Sequence, residues 1–122
     1  REQTKESNRM MQVWVMNGSY EGEYFSSVHL TEKGCALACI FDVFDFLGIE
    51  DKKSALQVMN HCYEYTETDG EQKEPFEWDT VKLKEMTRQE LWKVFHNWTD
   101  VCWRHMSDRC YYIDASPQTI QA

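Results

Sequence analysis

From Gly34 to Leu47 the chain reads GCALACIFDVFDFL, apolar from Ala36 onward except at Asp42 and Asp45. Wound as a helix, this segment carries apolar side chains around most of its circumference, the mark of an element buried on nearly every side. Thr31 is placed to cap its start and Gly48 to end it in a left-handed turn. Cys35 and Cys39 stand one helical turn apart, so both thiols leave one face toward two different partners. The other periodic segments arrange themselves around this rod. Apolar residues cluster between Thr4 and Met16 (Met10, Met11, Val13, Trp14, Val15, Met16), and Asn17-Gly18 follows as a stop, which predicts a first helix. Ser19 to Leu30 has no clean period and is expected to be a short helix or turn. A helix is predicted from Asp51 or Ser54 to Tyr63, with Ser54-Ala55-Leu56-Gln57 as capping box and Ala55, Met59 and Cys62 on its buried face. Asp79 or Thr80 opens a short helix through Leu83 and Met86.

The longest period follows the capping box Thr87-Arg88-Gln89-Glu90. Leu91, Val94, Phe95, Trp98, Cys102, His105 and Met106 recur at helical spacing. Between these helices, residues 64–79 are acidic, poor in aliphatics and broken by Gly70 and Pro75, a loop whose Phe76 and Trp78 are anchors or a lid. After Tyr111, Tyr112 and Ile113, Pro117 is expected to end regular structure, leaving SPQTIQA as a mobile tail. Nothing alternates in strand fashion over more than a few residues. The prediction is an all-α fold of five to six helices in one domain, residues 1–122.

Charge narrows the partners. A net charge of −8 argues against phosphate backbones and anionic lipid, so nucleic acid is not expected. No apolar run approaches the roughly 18 residues of a membrane span. The polar opening REQTKESNR implies that no signal peptide remains. Five cysteines without a CxxC motif, together with the sequons Asn17-Gly18-Ser19 and Asn97-Trp98-Thr99, suit a secreted, extracellular, disulfide-stapled domain. Spacing alone does not select among the pairings five thiols allow.

Catalytic and metal signatures are weak. His61 beside Cys62, and His105 between Cys102 and Cys110, supply nitrogen and sulfur donors of the kind zinc takes, but the thiols sit on core-bound faces, so neither metal nor cofactor is expected. The run from Cys102 to Cys110 lacks the adjacent His-Asp pair and glycine-rich calcium loop of secreted phospholipases. No nucleophile and base stand in a recognisable relation, and the chain is not expected to be an enzyme. What remains is a surplus of bulk in Trp14, Phe44, Phe46, Met59, Phe95 and Trp98, with the adaptable thioethers around Met11 beside it. Such a set suits either a packed core or a concave apolar pocket.

The segment from Leu30 to Cys39 (LTEKGCALAC), with Leu47-Gly48-Ile49-Glu50-Asp51 after its apolar turn, resembles the third-helix signature of insect odorant- and pheromone-binding proteins. Trp14 to Tyr24 is similar to their second-helix region, Met59 to Cys62 to the end of their fourth helix, and Cys102 with Cys110 to their closing pair. The resemblance covers roughly residues 9 to 62. It implies a bundle of about six helices interlocked by disulfides around an apolar cavity. It pairs Cys35 with Cys102 and Cys62 with Cys110, and leaves Cys39 as a free thiol because the family's first cysteine has no counterpart.

The function so implied is a secreted carrier of a small hydrophobic ligand, odorant, pheromone or lipid-like, working without catalysis. Met11, Trp14, Phe44, Phe46, Met59, Phe95, Trp98 and Tyr112 would line the cavity, with Tyr111, Tyr112 or His105 as hydrogen-bonding groups. A chemoreceptor or other protein is the expected macromolecular partner. The alternative is a salivary relative that sequesters host mediators or binds a host protein through the acidic loop.

Overall fold

The computed structural model describes residues 10–63, 74–105 and 111–121. Its elements run β1 (Met10–Tyr20), β2 (Glu23–His29), α1 (Glu32–Leu47), α2 (Lys52–Tyr63), α3 (Thr80–Lys84), α4 (Arg88–His105) and β3 (Tyr111–Gln121). The fold is mixed α/β, not all-α. A three-stranded antiparallel sheet in the order β2-β1-β3 carries the helices on one face, and four helices, not five or six, occur among the described residues.

The helix expected at the start of the chain is the central strand. In β1, Trp14 and Met16 face α1 and α4, while Val13 is buried on the opposite side. A strand apolar on both faces reads as an unbroken run, which periodicity cannot tell from a buried helix. Ser19 to Leu30, expected as a helix or turn, contributes β2 instead. The hairpin turns on Glu21 and Gly22, both at positive φ (50° and 86°), the two-residue geometry that matches strand twist. Asn17-Gly18 stops nothing. Gly18 lies inside β1 because the Phe25 ring crosses it: an added Cβ would stand 2.2 Å from Phe25 Cζ and 2.8 Å from the Tyr112 carbonyl oxygen. The expected mobile tail is β3, pairing with β1 from Tyr20–Tyr111 to Met10–Gln121. Pro117 is accommodated because β3 is an edge strand.

The rod at the centre is as the sequence reads. Along α1 only Lys33 and Asp45 are exposed; Thr31 Oγ1 accepts the Gly34 N–H at 3.0 Å, and Gly48 ends the helix at φ 76°. The box before α2 sits three residues earlier than expected. Asp51 Oδ1 accepts the Ser54 N–H at 2.9 Å while Ser54 Oγ accepts that of Asp51 at 3.0 Å. Thr87 and Glu90 form the expected reciprocal pair ahead of α4 (3.2 and 2.9 Å). Phe76 packs edge-on against Trp98 (centroids 5.6 Å apart), and Trp98 Nε1–H donates to the Glu77 carbonyl at 2.8 Å, so residues 74–79 are anchored on the body. The remainder of the acidic loop lies outside the described residues.

Helix direction accounts for the thiols. Glu32, in the first turn of α1, accepts from Trp92 Nε1 (2.8 Å) and Arg88 (3.2 Å) in the first turns of α4. The two helices therefore set out together and run the same way. Cys102 comes level with Asp42, whose charge it feels, and not with Cys35. Seven residues of helix, roughly 10 Å of rise, separate Cys35 from Asp42, beyond the 4.4–6.8 Å Cα separation a disulfide requires. Accordingly Cys35, Cys39 and Cys102 are free thiols, and the expected 35–102 bridge is not formed. Cys62 donates its thiol toward the Val101 carbonyl at 3.6 Å. The expected 62–110 pairing involves Cys110, outside the described residues.

Candidate functional site

The residues expected to line an apolar cavity do not do so together. Phe44, Met59, Phe95 and Trp98 are buried against one another at the centre of the molecule: Phe44 meets Trp98 edge-on at 5.7 Å, and Met59 Sδ accepts the Phe76 N–H at 3.4 Å. They form a packed core, which is the finding that, with the α/β fold, overturns the hydrophobic-carrier reading and its salivary variant. Met11 is exposed on β1, and Tyr112 is exposed on β3 with its hydroxyl donating to Asp114. Trp14 tilts against Trp92 at 5.8 Å. With Phe95, His96, Thr99 and Ile113 these two indoles border a surface cleft of about 270 Å3. The side chain of His105, expected as a hydrogen-bonding group, lies outside the described residues. Phe46 and Tyr111 belong to the site described next.

That site is a cleft of about 510 Å3 between α1 and the hairpin end of the sheet, lined by Tyr20, Glu23, Tyr24, Phe25, Asp42, Asp45, Phe46 and Tyr111. Strand pairing builds one wall. Tyr20 on β1 is the register partner of both Glu23 on β2 and Tyr111 on β3, so the three stand side by side on the helix-facing surface. α1 supplies the other wall from the two interruptions in its apolar run. Asp42 and Asp45, three apart on one face, point where the helix leaves the core for solvent, and Phe46 lies next to them.

The aromatic groups are tightly ordered. Phe46 and Tyr111 stack face to face (centroids 4.0 Å, planes 7° apart), and Tyr20 meets Phe46 edge-on at 5.2 Å. The Tyr111 hydroxyl donates to Asp42 Oδ2 at 2.6 Å. Burial, then this hydrogen bond to a carboxylate, pushes the tyrosine well above its ordinary value and keeps it a neutral donor. Three carboxylates thus share the cleft lining with five aromatic residues, and no basic side chain is among them.

Other chemistry finds less support in the geometry. No trio of histidine, cysteine or acidic groups among the described residues could hold a metal ion. Ser27 Oγ and His29 Nε2 share a 2.7 Å hydrogen bond on β2, a nucleophile and base in contact, yet the pair borders none of the clefts described. The buried thiols are poor nucleophiles: burial raises Cys35, Cys39 and Cys102, the last up to about 12.

Sequence reasoning noticed Asp42 and Asp45 only as breaks in a hydrophobic helix. Paired carboxylates on an otherwise buried face are costly without partners, and that cost was the available signal. Comparison with known proteins supplies no relative from which a role could be carried over: no family profile, curated protein or solved structure matches this chain.

Proposed function

We propose that this domain recognises an organic cation, an alkylammonium or guanidinium group, in the cleft between α1 and the hairpin end of the sheet. The observation that carries the reading is the pairing of half-buried aromatic faces (Tyr20, Phe25, Phe46, Tyr111) with carboxylates (Glu23, Asp42, Asp45) in one concavity with no basic residue among its lining. A cation over an aromatic face gains roughly 0.5–1 kcal/mol at an exposed site. A carboxylate about 4 Å away adds up to about 4 kcal/mol at an effective dielectric near 20, less where solvent enters. Neutral apolar guests obtain only the first kind of contact and must displace water from three carboxylates. The net charge of −8 draws cations toward the molecule over a longer range.

Titration with n-butylammonium, followed by chemical-shift changes in the full chain, tests the reading. A ligand of five heavy atoms in such a cleft should bind with Kd on the order of 1 mM. The affected residues should be Tyr20, Phe46 and Tyr111, and affinity should fall as salt rises. Asp45→Asn should weaken binding several-fold, since Asp45 is exposed and its replacement leaves the core alone. Equal affinity for the uncharged isostere 1-butanol would refute it.

A further inference from the structure

The cleft is bordered by an edge strand. Among the described residues β2 pairs only with β1, and its side chains Tyr24 and Val28 are 87% and 65% exposed. The two-residue turn makes Tyr20–Glu23 the hydrogen-bonded pair that closes the hairpin. Phe25, Ser27 and His29 therefore also spend their backbone groups on β1, and Tyr24, Ser26 and Val28 direct N–H and C=O outward. β2 carries no proline, no lysine and no bulge, the usual devices that blunt an edge, whereas the opposite edge strand holds Pro117.

A second depression adjoins this edge. It is about 210 Å3, lined by Asn17, Gly18, Tyr24, Phe25 and Ser26, and it shares Tyr24 and Phe25 with the acidic cleft. In the register, Glu23 and Phe25 face the helices, while Tyr24 and Ser26 face the other side with Asn17. The two hollows thus meet at this edge, the cleft reaching the helix side at Glu23 and the depression reaching the other side at Asn17 and Ser26. Successive side chains of a strand also leave on opposite faces, so a strand laid along β2 would present one residue to each.

We infer that β2 accepts an extended segment of a partner protein as a fourth strand, with a lysine or arginine of that segment seated in the acidic cleft and the adjacent side chain in the depression over Asn17 and Ser26. This rests on the cation reading and specifies its ligand: the charged group arrives on a peptide. Charge complementarity selects the occupant, because the cleft offers three carboxylates and a second copy of this chain would bring a net charge of −8 against another of −8. Affinity would come from main-chain hydrogen bonds and selectivity from alternate side chains.

The experiment compares n-butylammonium with the pentapeptide acetyl-Ser-Val-Lys-Val-Ser-amide on the full chain, by calorimetry and chemical-shift mapping. The peptide should bind at least tenfold more tightly than the amine and protect the Tyr24, Ser26 and Val28 amides from exchange. Ser26→Pro removes one outward N–H without touching the ladder to β1, as edge strands permit. It should erase the peptide's advantage and leave amine affinity unchanged. Peptides methylated on alternate backbone nitrogens test the same bond on the unaltered protein, and one of the two methylation phases should lose the gain. A peptide no tighter than the amine overturns the strand-addition inference and leaves the cation site standing. A dimer through β2 that the peptide fails to dissociate also overturns it. Failure of amine and peptide alike removes the cation reading and this inference with it.

Discussion

Tyr111→Phe isolates the contact that joins the sheet to the acidic face of α1. The substitution keeps a ring that can stack on Phe46 and removes only the hydroxyl that donates to Asp42 at 2.6 Å. A hydrogen bond to a charged group contributes about 1.5–3 kcal/mol. Because Asp42 is half-buried beside an open cleft, water can replace part of the lost donor, and the expected cost at pH 7 is near the lower end, about 1.5 kcal/mol. The tyrosine's folded-state value is raised well above its ordinary 10, first by burial and then by Asp42. A raised group of this kind contributes in full below the unfolded value and loses its contribution as pH climbs past it. The unfolded chain ionises Tyr111 above pH 10 while the folded protein holds it neutral. The gap between wild type and variant should therefore narrow by about 0.4 kcal/mol at pH 10 and about 1.4 kcal/mol at pH 11. Solvent at the mouth of the cleft screens the pairing, so these are ceilings. The cysteines titrate in the same range but are common to both proteins and cancel. Urea unfolding at pH 7, 10 and 11 measures the three gaps. A cost below about 0.3 kcal/mol at pH 7 would mean that the hydrogen bond does not stabilise the fold, and a gap constant to pH 11 would refute the account of why the tyrosine stays neutral.

Trp98→Ala should cost about 3–5 kcal/mol in urea unfolding, since a fully buried indole is lost between Phe44 and Phe76; Trp98→Phe should cost less, with the Glu77 carbonyl deprived of its donor as the chief term. Gly18→Ala should destabilise by about 1–3 kcal/mol, and the penalty should shrink in a Phe25→Ala background because the ring is the nearer obstacle. Thr87→Ala removes the hydroxyl that accepts the Glu90 N–H and should cost about 1 kcal/mol by thermal unfolding. Cys35, Cys39 and Cys102 should resist iodoacetamide at pH 8 until the protein unfolds, as peptide mapping after graded urea would report, because all three are buried and raised above the ordinary thiol value of 9.0. With folded values above the unfolded ones, their contribution to stability is complete below pH 9 and falls as pH rises beyond it.

The helices were legible because their signals are local. Thr31 with Gly34, Thr87 with Glu90 and Asp79 with Val81 each close a cap within three residues, and Gly48 ends α1 at a positive φ that glycine favours. The sheet has no such signal. Its longest ladder joins Met10 to Gln121 and Tyr20 to Tyr111, partners separated by nearly the whole chain, and nothing in either segment announces the other. Two glycines also exchanged roles. Asn17-Gly18 has the composition of a stop, yet Gly18 is required by the Phe25 ring inside a strand, while the turn falls at Glu21-Gly22, whose first residue is an uncommon choice for positive φ. The cleft inherits both properties. Its α1 wall, Asp42, Asp45 and Phe46, stood in plain view as polar breaks in a buried helix, and its other wall depends on a strand register that brings Tyr111 to Asp42 across 69 residues. A hydrophobic helix with two carboxylates on one face therefore poses a definite question, namely which distant donor or cation meets them. The answer here is one tyrosine hydroxyl for Asp42, with Asp45 and Glu23 turned to solvent at the mouth of an aromatic cleft. That division is why the carboxylate face reads as a place for an incoming positive charge and not only as the polar rim of a core helix.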